Sequence, residues 1–274
     1  MSESEPETET DGTADDGLRA AVRAQLGLGR LLPLGGPQDG VWLAERAAIR
    51  VLGEAARELP GVRVTRLRIG PADAGPDGER PAVTPPSTAL PPGPLRVAAA
   101  FAASAVRPIP ASAGLLRDSL TGAAERRLGL RVVAVDLHVT GLLTEDGEGP
   151  GEAGEDGWAR GTRETREIRE IREIRETVSR RGGPQPPPAA AGDGAEARVA
   201  GAVRAVPGVL GLSTALAVPG RAVLVRDGEV RLQVRLRAPE ADGPATLRTA
   251  RAVREAAAGA AGGARVAVLI TGLG

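Results

Sequence analysis

The chain has no cysteine, and this removes whole classes of chemistry at once. There is no disulfide framework and no thiolate to ligate a metal, carry redox chemistry or attack an electrophile. Lysine, asparagine and tyrosine are also missing, so all 35 basic residues are arginine. A Walker-type phosphate loop, which requires lysine, is thereby excluded. Aromatic residues are confined to Trp42, Phe101 and Trp158, so the core must be built from Ala, Val and Leu with few large anchors. No zinc site can be assembled from a single histidine, His138, without cysteine. The longest uncharged apolar run, residues 97–106, falls well short of the roughly 20 residues that cross a bilayer. The first sixteen residues hold seven acids and no base, the reverse of a secretory signal. These absences predict a cytoplasmic protein with no transmembrane segment.

What is present is charge in separate blocks. Net charge is zero over 274 residues, yet residues 18–143 carry 16 arginines against 10 acids, and residues 195–274 carry 11 against 6. The acids gather in residues 1–17 and 144–158. Basic units beside acidic tracts can attract an anionic partner or be screened by their own tails.

Periodicity divides the chain. Residues 1–17 have the composition of a disordered acidic arm, and residues 18–26 read as a short amphipathic helix. A helical face follows over residues 41–59, with Asp39 placed to cap it and Pro60-Gly61 to stop it. Residues 62–69 alternate with a slip, residues 70–94 form a Pro/Gly-rich insert, and residues 95–101 alternate as a strand. Residues 112–128 read as a helix ended by Gly129, and residues 133–139 as a strand. The order then returns: a helix over 196–206, a strand over 209–218, a hairpin 221–226/229–237 through Asp227-Gly228, a helix over 244–258 and a strand over 265–270. Pro60-Gly61-Val62 matches Pro207-Gly208-Val209, and Thr140-Gly141-Leu142 matches Thr271-Gly272-Leu273. The expected architecture is α/β (α+β): two diverged units of order α-β-β-α-β, residues 18–143 and 195–274, each with helices on one face of a short sheet. Residues 144–194 form a low-complexity linker whose centre repeats Arg-Glu every three residues, a period that drifts around a helix and so cannot make a coiled-coil seam.

Catalytic patterns find no support. His138 and Asp136 lie on one strand face with no nucleophile spaced near both, and Gly211-Leu212-Ser213-Thr214-Ala215 falls one residue short of a nucleophile elbow and sits in a strand. Gly27-Leu28-Gly29 lacks the third glycine of a dinucleotide loop, and the acids around Asp73, Asp77 and Glu79 miss calcium-loop spacing. No catalytic, cofactor-binding or metal-binding residue is assigned, and no cofactor. The outer sheet faces are the candidate interaction surface. Aligning the strands from Leu95 and Val230 sets Ala98, Ala100 and Ala102, a small apolar face, against a basic face of Arg231, Arg235 and Arg237. Nucleic-acid binding would usually add aromatic stacking residues or a fold-specific loop, and neither is present.

The helix-Pro-Gly-Val opening, the hairpin Arg221-Ala222-Val223-Leu224-Val225 into Glu229-Val230-Arg231-Leu232-Gln233-Val234 and the closing residues 266–272 resemble the alkaline-shock (Gls-type) envelope stress protein family. The second unit carries the likeness along most of its length, and the first departs from it through the insert. The chain is also similar to actinobacterial proteins labelled after a nucleopolyhedrovirus fibrous-body protein, a label these residues do not support. The family resemblance implies a non-enzymatic cytoplasmic scaffold of the envelope stress response. Its partners would be itself, a related family member or a membrane-anchored protein that recruits it to the inner face of the membrane. The alternative is an anion binder, for nucleic acid or anionic lipid, using the arginine-rich face.

Overall fold

A computed structural model describes residues 27–73, 81–86, 88–143, 194–215, 221–239 and 245–274. The acidic arm, the helix expected over 18–26 and all but the last residue of the linker lie outside the described residues.

The fold is α+β, with two sheets and four helices among the described residues. The first half supplies β1 (Leu31–Pro33), β2 (Val41–Ala44), α1 (Glu45–Arg57), β3 (Val62–Pro71), β4 (Leu95–Ser104), α2 (Ile109–Gly122) with a π-helical turn (Ala123–Leu128), and β5 (Val132–Leu143). The second supplies α3 (Gly194–Arg204), β6 (Val209–Leu212), β7 (Val223–Arg226), β8 (Glu229–Leu236), α4 (Thr246–Ala260) and β9 (Arg265–Leu273).

One pairing scheme is used twice. In the smaller sheet β3 runs antiparallel to β4, and β4 parallel to β5 through the helical crossover α2. In the larger sheet β6 and β7 run antiparallel to β8, and β8 parallel to β9 through α4. Parallel neighbours need such a crossover because a tight turn cannot reverse the chain direction twice. The registers coincide. The pairs Phe101–Val139 and Val234–Ile270 each precede a bulge, at Thr140 and at Thr271, so the two Thr-Gly-Leu motifs mark one irregularity. Val62 lies opposite Ala103 as Val209 lies opposite Leu236. The Ser104 amide donates to the Gly61 carbonyl at 2.8 Å and the Arg237 amide to that of Gly208 at 2.7 Å, so both Pro-Gly turns close the same ladder.

This register corrects the alignment drawn from Leu95 and Val230. Val97 stands where Val230 stands, so Ala98, Ala100 and Ala102 correspond to Arg231, Gln233 and Arg235. The ten residues of β3, bulged at Thr65, pair with β4 as the short β6 and β7 together pair with β8. The strand expected over 209–218 accordingly ends at Leu212.

The opening of the first half overturns the helix expected from residue 41. Residues 41–44 are a strand that lies parallel on the outer side of β9, Val41 opposite Val268 and Leu43 opposite Ile270, and β1 pairs with it in turn. The larger sheet therefore reads β1-β2-β9-β8-β6, with β7 also on β8. Asp39 does not cap a helix; it accepts the Gly36 amide at 2.8 Å in the β1–β2 turn. Gly40 holds φ +62°, and a Cβ there would lie 2.9 Å from the Val266 carbonyl, so only glycine lets β2 approach β9 this closely. Part of the insert is also ordered on this sheet: the Leu31 amide donates to Thr88 and the Leu90 amide to Leu31.

The core is one continuous apolar cluster running through both halves. Helix α1 buries Ala47, Ala48, Val51, Leu52, Ala55 and Ala56, a broad stripe of mostly small side chains, and packs on β3 as well as on β2 and β9. Trp42 and Phe101, the two largest buried side chains, anchor one sheet each. Gly129 ends the π-helical turn at φ +84°, and a Cβ there would lie 2.6 Å from the Leu247 Cβ of α4. Beside it the Thr246 hydroxyl donates to the Arg127 carbonyl at 3.2 Å. The halves thus meet where β2 and α1 lie on β9 and where α4 meets the π-helical turn and the β1–β2 turn.

Candidate interaction surface

The side of β4 turned away from the helices carries Arg96, Ala98, Ala100, Ala102 and Ser104. Opposite the three alanines on β3 stand Arg68, Arg66 and Arg63, in that order, all exposed. Opposite Ala98 and Ala100 on β5 stand Asp136 and His138. The expectation of a small apolar face on this sheet is therefore corrected. The face is an alanine row flanked by arginines on one side and by an acid and the lone histidine on the other. The slip expected in residues 62–69 falls between Val64 and Arg66 and turns Arg63, Arg66 and Arg68 to one side of β3. An alanine opposite each arginine leaves room for the guanidinium stem to lie across the sheet. Ala98 and Ala100 are half-buried, whereas Ala102 is fully buried and withdrawn from any surface role.

Charge on this face is partly matched. Arg96 pairs with Asp73, and its Nε lies 3.3 Å from Asp136 Oδ2. Arg63 and Arg66 form no ion pair among the described residues. In the larger sheet Arg231 Nε pairs with Glu229 Oε1 at 2.9 Å, while Arg235 and Arg237 are exposed and make no ion pair among the described residues. Over β9 and β2 the same sheet side is closed: Ala267, Leu269 and Trp42, side by side there, are all buried. The basic face expected from Arg231, Arg235 and Arg237 is thus a strip along β8 rather than a whole sheet face.

The four outer edges also differ. At β3 the Ile69 amide donates to Glu45 Oε1 at 3.2 Å and Arg30 Nη2 donates to the Ile69 carbonyl at 2.6 Å, so one ion pair occupies both polar groups of that residue. At β7 Glu196, paired with Arg221 at 3.1 Å, approaches the Val225 amide. At β1 the segment 88–90 covers the edge. The outward edge of β5, in a strand of 12 residues, has no hydrogen-bonding partner among the described residues.

The remaining features are structural. A cavity of about 620 Å³ is lined by Asp39, Val83, Arg251, Arg254 and Arg265 among others. Inside it Asp39 is held by Arg251 through contacts of 2.7 and 2.9 Å, and Arg254 donates to the Gln38 carbonyl, so these groups tie the β1–β2 turn to α4. Burial would push the Asp39 carboxyl up, but the hydrogen bonds from Arg251 and Gly36 and the charges of Arg251 and Arg254 outweigh it. Asp39 is held below its ordinary 3.8. The hydrogen bond to Asp39 raises Arg251 in turn. Ser213 follows β6, and its hydroxyl accepts the Ala215 amide at 3.3 Å. His138 lies in the other sheet, so the two are not brought together. Among the described residues no three His, Cys, Asp or Glu side chains are grouped to hold a metal, and no helix is long and apolar enough to cross a membrane.

Comparison of the chain with protein-family models, with curated proteins and with solved structures gives no match in any of the three.

Proposed function

We propose that the protein is a non-enzymatic scaffold or interaction protein that associates with itself or a related chain. The reading is carried by one observation, the face and long edge of the β3-β4-β5 sheet that no described residue covers, beside a larger sheet whose corresponding strand is covered on its edge and both faces. A sheet edge of this length with apolar side chains along it is a ready template for another strand. The cytoplasmic setting in the envelope stress response, with recruitment by a membrane-anchored partner, draws its support from the family resemblance of the hairpin and closing strand. The test is the mass in solution and the partner capture of Ala100→Arg, Arg235→Glu and the double variant. Ala100→Arg should weaken association by about tenfold, because a long cation would replace a half-buried methyl on the open face. If all three variants behave as the parent does, the reading is dropped.

A second reading, an anion-binding module for nucleic acid or anionic lipid, is favoured by the exposed Arg63, Arg66, Arg235 and Arg237 without ion pairs among the described residues. Retention on DNA, RNA or anionic vesicles that falls steeply with salt would support it. No retention at low salt after removal of residues 1–17 would sink it.

A further inference from the structure

We infer that the outward edge of β5, open among the described residues, is the self-association site, and that it takes the same β5 edge of a second copy, antiparallel, in the register centred on Leu137. This rests on the self-association reading above and supplies its surface, partner and register.

The larger sheet shows what the edge lacks. The Val268 amide of β9 donates outward to the Gly40 carbonyl of β2 at 2.9 Å. By the shared register Val268 corresponds to Leu137, so Leu137 turns its amide and carbonyl to the same side of β5, where no strand lies among the described residues. The side chains record the same difference. Val266, Val268 and Ile270 are buried, whereas their counterparts Val135, Leu137 and Val139 are only half-buried and Val133 is 59 % exposed. Six residues, 134 to 139, run without irregularity between the bulges at Val133 and Thr140, long enough for a strand pair.

The occupant follows from charge. Residues directly opposite in an antiparallel pair share a sheet face, so a two-fold axis can pass only beside one residue, which then meets its own copy. An axis at Asp136 sets carboxylate against carboxylate, and an axis at His138 sets imidazole against imidazole; both put like groups in contact. An axis at Leu137 sets Asp136 against the second copy's His138 twice over, an acceptor against an N–H donor. It also pairs Val135 with Val139 and Leu137 with itself on the helix side. Because Leu137 exchanges the backbone hydrogen bonds in this register, the Asp136–His138 pair is of the non-hydrogen-bonded kind, in which the side chains stand closer. Of the groups beside them on β4, Arg96 already touches Asp136, and Ala100 leaves His138 unobstructed. The result is one sheet of six strands continuous through both copies.

The test uses sedimentation equilibrium of the full chain with His138→Asp, Asp136→His and the double exchange, with circular dichroism of each to check the fold. Each single exchange puts like groups opposite and should weaken the dimer by about tenfold, and the double exchange should return it to within about threefold of the parent. Restoration by the double variant is not expected of residues that only support the monomer. If the parent dimerises and the single exchanges leave it unchanged, or the double exchange does not restore it, the β5 register is wrong and self-association runs through another surface. A parent chain that stays monomeric to about 100 µM, where weak but specific pairs still form, overturns both this inference and the self-association reading.

Discussion

β5 and β9 hold the same place in the same pairing scheme and meet different fates. Each lies parallel to its neighbour after a helical crossover and each bulges at a Thr-Gly-Leu. β9 is buried at every position from Val266 to Thr271, because strands β2 and β8 flank it and helices α1 and α4 pack against it. β5 alternates between half-buried and exposed along most of its length, and only Val132 is buried. The local sequence agrees with each outcome: Val266-Ala267-Val268-Leu269-Ile270 is a continuous apolar run, whereas Val135-Asp136-Leu137-His138-Val139 alternates. One strand is written to be surrounded and the other to face water on one side. What a strand's edge does is therefore legible in part from its own residues, although what covers it is not.

Removing the two anchors should have the largest effect on this contrast. Trp42→Ala and Phe101→Ala should each cost about 3–5 kcal/mol in denaturant unfolding, because each empties a fully buried site. Trp42→Ala should in addition loosen β2 and make the Val268 amide exchange with solvent at a rate nearer that of Leu137. In the parent, kept dilute enough to be monomeric, the Val268 amide should exchange at least about tenfold more slowly than that of Leu137. Equal protection at the two would mean that the β5 edge is already covered.

Smaller effects sharpen the comparison. Ala102 and Arg235 occupy equivalent positions, yet the alanine is buried and the arginine exposed. Ala102→Arg should destabilise by about 2 kcal/mol through overpacking, whereas Arg235→Glu should stay within about 0.5 kcal/mol. Comparable costs would mean that the two faces are equally open. Asp39→Asn, which weakens the tie between the β1–β2 turn and α4, should cost about 1 kcal/mol near neutral pH. Because folding lowers the Asp39 pKa, its contribution is complete above the ordinary 3.8 and is lost as pH falls through the lowered folded value. The parent and Asp39→Asn should therefore converge in stability below that range, and a gap that persisted there would assign the loss to packing instead.

Much of the candidate surface was readable before the structure. Alternation placed Arg231, Arg235 and Arg237 on one side of β8 and His138 with Asp136 on one side of β5, since a period of two needs no tertiary information. The slip in residues 62–69 is also visible in the sequence, as the broken alternation of Val62, Val64, Leu67 and Ile69 with Arg63, Arg66 and Arg68, but that these arginines stand opposite Ala102, Ala100 and Ala98 depends on strand register, which alternation does not supply. Alternation alone puts Ala102 on the outer face, whereas its burial depends on neighbouring strands, which alternation cannot supply.

The sequence by itself determined the recurring strand and helix scheme, through the Pro-Gly and Thr-Gly-Leu repeats, and it determined the absence of thiol chemistry. Only the tertiary structure decided that residues 41–44 leave the helical pattern to become the parallel neighbour of β9 in the sheet of the opposite half. Four apolar residues before a helix fit either state locally. Here the outcome is settled by the free edge of β9, more than two hundred residues away along the chain, whose unpaired backbone groups β2 satisfies.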